Sequence, residues 1–230
     1  MPVGEVIDEV AAVARKFRIR DPEIYADQLE RWGRLIGPSA LSGRILAMGL
    51  DLGNSCGYAL TWARPGLPYD PRAAYTLMGQ LDLSLGPYDS GPVRLIRLRQ
   101  LLEITRPNIL FFEDVRYTPP TSSFRTNATA ILNRAAGPIE FFGSLKGCIA
   151  SWAESCGVPC QGFPIASIKK RATGKGNAGK PAVIAGCNEI FGVGLDSDDY
   201  ENSGVDNVAD AAICLLLGME YYARGVSPGD

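Results

Sequence analysis

Four carboxylates occupy positions from which chemistry could be built. Asp51 ends the apolar run ILAMGLD at a glycine-flanked turn, and Glu113 ends a second such run, NILFFE. Asp206 and Asp210 lie four residues apart in DNVAD, just ahead of an apolar stretch. Helical spacing would place those two on one face. Taken singly, each acid has an ordinary use: capping a turn, pairing with an arginine, or complementing a helix dipole. Taken together, acids that end buried strands are costly unless a cation compensates them. The sequence contains no histidine. That excludes Ser-His-Asp and Cys-His hydrolases, HExxH zinc peptidases and histidine-based nucleases. Clustered carboxylates are hard oxygen ligands, suited to Mg²⁺ or Mn²⁺ rather than zinc. Two such ions about 4 Å apart can activate water and stabilise the leaving oxygen of a phosphodiester.

A second group of residues points toward phosphate. The segment IKKRATGKGNAGK (168–180) sets Lys169, Lys170, Arg171, Lys175 and Lys180 around glycines 174, 176 and 179. Four of the six lysines of the chain fall in this segment. Open backbone amides beside ammonium groups can hold a phosphate backbone or neutralise a scissile phosphate; the plainer alternative is a solvated basic loop. Two nucleotide-binding readings compete. Gly174 to Lys180 has the GxxxxGK spacing of a P-loop ATPase, but Pro181 stands where the metal-binding hydroxyl belongs, and the preceding stretch is helical and basic instead of a buried strand. LDLGNSCGYAL resembles the first phosphate loop of actin-like and sugar-kinase ATPases, yet no second DxG-type turn follows in the C-terminal half.

The elements that must carry these groups follow from periodicity. Residues 5–16 and 22–36 have helical spacing, with Asp21 and Pro22 as a start signal, and predict a helical hairpin extension over 1–44. From residue 45 the pattern changes to three successive strands: ILAMGLD, GYALTW and AYTLMGQLDL. A helix over 92–104, a buried strand over 108–114 and a long helical region over 127–155 follow, the last with an interruption near Gly137-Pro138. Then come a strand at VPCQGF, a short helix over 164–171, the glycine loop, a helix over 180–191, an acidic loop over 194–205 and a last helix over 206–223. This order predicts an α/β domain over 45–230, with a mixed five-stranded sheet flanked by helices.

Size and composition agree with that layout. The 230 residues suffice for one domain and an appendage, and 46% hydrophobic with 21% charged residues is an ordinary globular balance. No apolar run approaches a membrane span, and the start MPVGEVIDEV has no signal-peptide core, so a cytoplasmic protein is expected. The six cysteines lack paired zinc spacing and are expected to be reduced, mostly core thiols. The net charge of −2 hides a polarity. Residues 45–185 carry 15 basic and 9 acidic groups, whereas 186–230 carry 1 basic and 9 acidic. A local basic field leaves a polyanionic partner open.

The ordered set DLGNSCGYAL, ILFFEDV, KKRATGKGNAGK and DNVADAA resembles the RuvC-like Holliday-junction resolvases of the ribonuclease H-like superfamily. The GKGNAGK form is most similar to the bacteriophage type. The resemblance covers about residues 45–220 and implies a ribonuclease H-like fold. It also implies a homodimer that nicks two symmetric strands of a four-way DNA junction and leaves 5′-phosphate and 3′-hydroxyl ends. By the same resemblance Asp51, Glu113 and Asp210 are metal ligands for two Mg²⁺ or Mn²⁺ ions, and Lys169 and Lys180 act near the scissile phosphate. The family places a further acid where this chain has Asn207, which makes Asp206 the expected substitute and Asn207 an alternative ligand. Where the family has a base-stacking aromatic after its glutamate, this chain has Arg116 and Tyr117. A non-catalytic junction-binding relative is the alternative that the Asn207 departure keeps open.

Overall fold

The computed structural model describes residues 43–225 except 75, 116–127 and 199, and it gives only the backbone course at 104, 128–136, 201 and 202. The helical hairpin expected over 1–44 lies almost wholly outside the described residues, as do Arg116 and Tyr117. Five strands form one mixed sheet in the order β3-β2-β1-β4-β5. They are β1 (Ile45–Asp51), β2 (Ser55–Ala63), β3 (Thr76–Asp82), β4 (Ile109–Glu113) and β5 (Cys160–Phe163). β1 pairs antiparallel with β2, and β2 with β3, while β4 lies parallel to both β1 and β5. The helices are α1 (Pro92–Thr105), α2 (Ala128–Cys156), α3 (Ile165–Thr173), α4 (Lys180–Phe191), α5 (Tyr200–Ser203) and α6 (Val205–Arg224).

Side-chain size divides the two faces of the sheet. Strand residues alternate between faces, and the even positions of β1 and β2 are large: Leu46, Met48, Leu50, Tyr58 and Leu60. These pack with Leu98, Leu102, Leu145, Ile149 and Trp152 of α1 and α2 into one core. The central odd positions are small: Ala47, Gly49, Gly57 and Ala59. That shallow face receives α6, whose Ala209, Ala212, Ile213 and Leu216 are fully or almost fully buried in a second core. The approach is close enough that a Cβ on Gly57 would lie 1.9 Å from the Asn207 carbonyl oxygen, and one on Gly49 would lie 2.4 Å from that of Ala211. Helices α3 and α4 contribute Ile168, Ile184 and Cys187 to the same core. Asp51 and Glu113 are also odd-numbered, so both end their strands on the α6 face.

The structure departs from expectation in α2, which runs unbroken through Gly137 and Pro138. Proline removes one helical hydrogen bond, but residues 137–140 are exposed, so the ring displaces no packed core there. The buried Leu145, Ile149 and Trp152 hold the helix beyond that point. A second difference is the short helix α5 within the expected acidic loop. The cysteines are all free thiols, with Cys56, Cys187 and Cys214 buried and Cys156 exposed. Among the described residues no helix is long and apolar enough to cross a membrane.

Candidate metal centre

Strand direction determines where the acids meet. β1 and β4 run parallel, so Asp51 and Glu113 leave the same edge of the sheet on adjacent strands. Helix α6 starts over that edge and brings Asp206 and Asp210 down onto it. Carboxylate oxygens of Asp51, Glu113 and Asp210 lie within 4.8 Å of one another. All four acids are buried, none more than 9% exposed. Asp206 stands beside this trio, and its carboxylate receives Lys180 Nζ at 2.5 Å. The same ammonium lies 5.7 Å from the centre of the Tyr200 ring.

Burial and mutual repulsion make the trio hard to ionise. Asp51 is held well above the usual carboxylate range, first by burial and then by the neighbouring Glu113 and Asp210. Glu113 is raised by burial, against the opposing pull of its hydrogen bond with Asp51 and of Lys169. Asp210 is pushed up to about 7 by burial and by Glu113 and Asp206, with Lys169 and Lys180 opposing. A hydrogen bond between two carboxyl groups requires a proton on one of them. Meanwhile Asp210 Oδ1 is buried without a hydrogen-bond partner. Three converging oxygen ligands, a shared proton and an orphaned oxygen fit a hard divalent cation, which would replace the proton and engage the orphan.

Because the ligands must be ionised, cation binding expels protons. Apparent Mn²⁺ affinity is therefore expected to strengthen with pH, by about tenfold per unit for each proton displaced, with the share owed to Asp210 exhausted above about pH 7. Calorimetric titrations at about pH 5.5 and pH 8 that returned equal affinities would contradict this assignment.

The basic segment is arranged around the same centre. Lys169, on α3, faces Glu113 and Asp210 closely enough to lower both. Lys170 and Lys175 are exposed. Gly174 takes a left-handed conformation that ends α3, and the Thr173 hydroxyl accepts from the Lys175 amide at 3.1 Å. Arg171 is placed differently from the lysines. Its guanidinium grips Glu220 of α6 through bonds of 2.7 and 3.0 Å, which joins α3 to the far end of α6. Lys180, at the first position of α4, is kept charged chiefly by its hydrogen bond to Asp206. Asn207 is partly buried, and its backbone carbonyl lies against Gly57.

Two residues near the centre escaped the sequence reading. Lys146 of α2 donates to the Asp114 carboxylate and to the Val115 carbonyl, both at 3.0 Å, so it ties down the chain leaving Glu113. Gln80 of β3 is 5% exposed and joins Ser55 to Ser203. The available signal was a lone polar residue in an apolar context: Lys146 within FFGSLKGCIA, and Gln80 at an inward position of TLMGQLD.

Comparison with solved structures places this architecture. The Thermus thermophilus RuvC structure superposes with a TM-score of 0.53 at 19% identity, covering 79% of this chain and 98% of that one. T. thermophilus RuvC in complex with a Holliday junction substrate gives 0.56 at 20% identity, over 79% and 96% of the two chains. The chain has the RuvC fold. No protein-family model and no curated protein sequence matches it. The likeness to RuvC is thus one of backbone architecture, carried by about four-fifths of this chain and nearly all of that one. On this RuvC fold the three acids converge where the parallel strands end, beside a segment that holds four of the chain's six lysines.

Proposed function

We propose that this protein is a divalent-metal-dependent, structure-selective DNA endonuclease that cuts four-way junctions. The observation that carries the reading is the buried trio Asp51, Glu113 and Asp210 on a RuvC fold, next to the lysine segment. In this reading the trio holds Mg²⁺ or Mn²⁺, two ions in the working site, with Asp206 completing the set on its Lys180 side and Asn207 as the alternative ligand. A cation bound there supplies Lewis-acid polarisation of the phosphate and activation of water. Lys169 and Lys180 place positive charge where the phosphate gains negative charge, and Lys180 is kept charged by its bond to Asp206. Lys170 and Lys175 take neighbouring phosphates. Arg116 and Tyr117, which follow Glu113 in sequence, meet unpaired bases at the branch. A homodimer would present two such centres to the two symmetric strands of a junction and leave 5′-phosphate and 3′-hydroxyl ends.

The test is cleavage of a synthetic four-way junction beside a matched linear duplex, in Mg²⁺, Mn²⁺ or EDTA. Paired, symmetric, metal-dependent nicks confined to the junction are expected. Tight, salt-sensitive binding without nicks would instead identify a non-catalytic junction binder. No binding at all would remove the reading.

The basic residues should separate by role. Lys170→Ala and Lys175→Ala are each expected to lower the slope of log affinity against log salt by about one, with little change in stability. Arg171→Met is expected to leave that slope alone and to cost about 1 kcal/mol of folding free energy, because its partner is Glu220. The opposite pattern in filter-binding and urea-unfolding series would return Arg171 to the phosphate contacts.

A further inference from the structure

A single row of residues crosses three strands beneath the start of α6. Asp51 of β1 pairs with Gly57 of β2, and Gly57 pairs with Gln80 of β3. Paired residues on neighbouring strands point to the same face, so Asp51 and Gln80 flank a gap left by Gly57. The first turn of α6 fills that gap with the Asn207 carbonyl. At the outer end of the row the Gln80 amide bridges two segments. Its Nε2 donates to the Ser203 carbonyl at 2.6 Å, and its Oε1 accepts from the Ser55 hydroxyl at 2.6 Å. Ser203 is the last residue of α5, and the next residue, Gly204, turns left-handed at φ +67° to launch α6. A side chain at 204 would strike the Gln80 amide, since a Cβ there would lie 2.6 Å from Oε1.

Burying a glutamine side chain in a sheet is costly unless both ends of its amide are satisfied. Here both are, and the partners are the first residue of β2 and the residue two before α6. The amide length thus sets how far along the sheet α6 begins. Asp206 lies two residues beyond the Gly204 turn, and Asp210 one helical turn further, on the same rigid helix. We propose that Gln80 is a positioning residue for the acidic centre: clamped by Ser55 and Ser203, it sets the register of α6 and so the spacing of Asp210 and Asp206 from Asp51 and Glu113. The inference rests on the metal-site reading for its consequence, but its structural content stands independently of that reading.

Gln80→Met keeps the length and volume and removes both hydrogen bonds. Ser55→Ala removes only the bond that orients the amide and should act in the same direction more weakly. The control is Leu98→Ala, a cavity on the opposite face of the sheet that weakens the fold without touching this row. Two quantities are read in each protein: amide hydrogen exchange along α6, and Mn²⁺ affinity from the electron paramagnetic resonance of free Mn²⁺. For Gln80→Met, exchange at 206–210 is expected to accelerate at least about tenfold while 213–219 stays protected. Mn²⁺ affinity is expected to fall by about 10- to 100-fold, the usual cost of losing an outer support of a metal site. Leu98→Ala should leave Mn²⁺ affinity unchanged. Unaltered exchange at 206–210, uniform loss of protection through α6, or local loosening with unchanged Mn²⁺ affinity would each overturn the proposal. If the unmutated protein binds no Mn²⁺, the metal-site reading fails, and the exchange pattern alone decides whether Gln80 sets the register of α6.

Discussion

In EDTA the Asp51→Asn protein is expected to unfold at a higher temperature than the parent, and in Mg²⁺ or Mn²⁺ to lose at least about 10³-fold in junction cleavage, or about 4 kcal/mol of transition-state stabilisation. Both effects come from the same crowding. The folded protein holds Asp51, Glu113 and Asp210 above their ordinary values, so it binds protons that the unfolded chain releases. For groups raised in this way, metal-free stability is greatest at low pH and declines as pH rises from the usual carboxylate range through the folded-state values, about 7 for Asp210. At pH 8, above the Asp210 value, the parent therefore carries more of this repulsion than at low pH. An amide at 51 removes one charge and can still donate to Glu113. The gain is about 1–2 kcal/mol, or about 2–8 °C in a chain of this size. Scanning calorimetry in EDTA at pH 8, paired with cleavage assays, reads both quantities. A variant that melted earlier than the parent, or that still cut, would show that Asp51 is a structural acid.

The largest expected loss of stability comes from a single methyl group. Gly57→Ala would place a carbon 1.9 Å from the Asn207 carbonyl oxygen and 2.4 Å from its carbon. Both obstructing atoms are backbone in the first turn of α6, so no rotamer change relieves the clash. Either β2 or α6 must move, at a cost of about 3 kcal/mol or more, and the carboxylates of α6 move with it. Urea unfolding should show a much lower midpoint, with weakened Mn²⁺ binding in whatever fraction stays folded. An unchanged midpoint would mean that α6 does not lie on β2 at this depth.

The parts of this molecule that were legible in its sequence are those governed by local pattern. Short apolar runs bounded by turns marked β1 to β3, and ILAMGLD and NILFFE ended where the strands end. The last helix began within a residue of Val205. Asp51, Glu113 and Asp210 could be singled out because acids at the ends of apolar runs need a reason. Periodicity could not show which lysine or arginine faces which partner. Arg171 and Lys170 are neighbours in one basic run, yet a helical rotation of 100° turns the first toward Glu220 and leaves the second in solvent. Asp206 and Asp210 share a helical face, yet only the three-dimensional approach of α4 shows that Lys180 meets Asp206. Gln80 was hidden for a similar reason, because both of its partners are remote in sequence and only sheet register aligns it with Asp51. Proline misled in α2, where solvent exposure cancels the penalty that a buried helix would incur.

The contrast between the two faces of the sheet has a consequence for how such a protein can diverge. On the α1 and α2 side, the large side chains meet other side chains, so volume can be traded between neighbours and many combinations fill the same space. On the α6 side, small residues meet backbone, which cannot be traded, and the acids meet one another. The information that specifies the centre is thus concentrated in a handful of positions: three or four acids, two glycines against α6, and a clamped amide. A chain can rewrite most of its letters and retain that handful. A match of architecture at 19–20% identity, with no match of the sequence to a family model, is the relationship that this uneven distribution of constraint would leave behind.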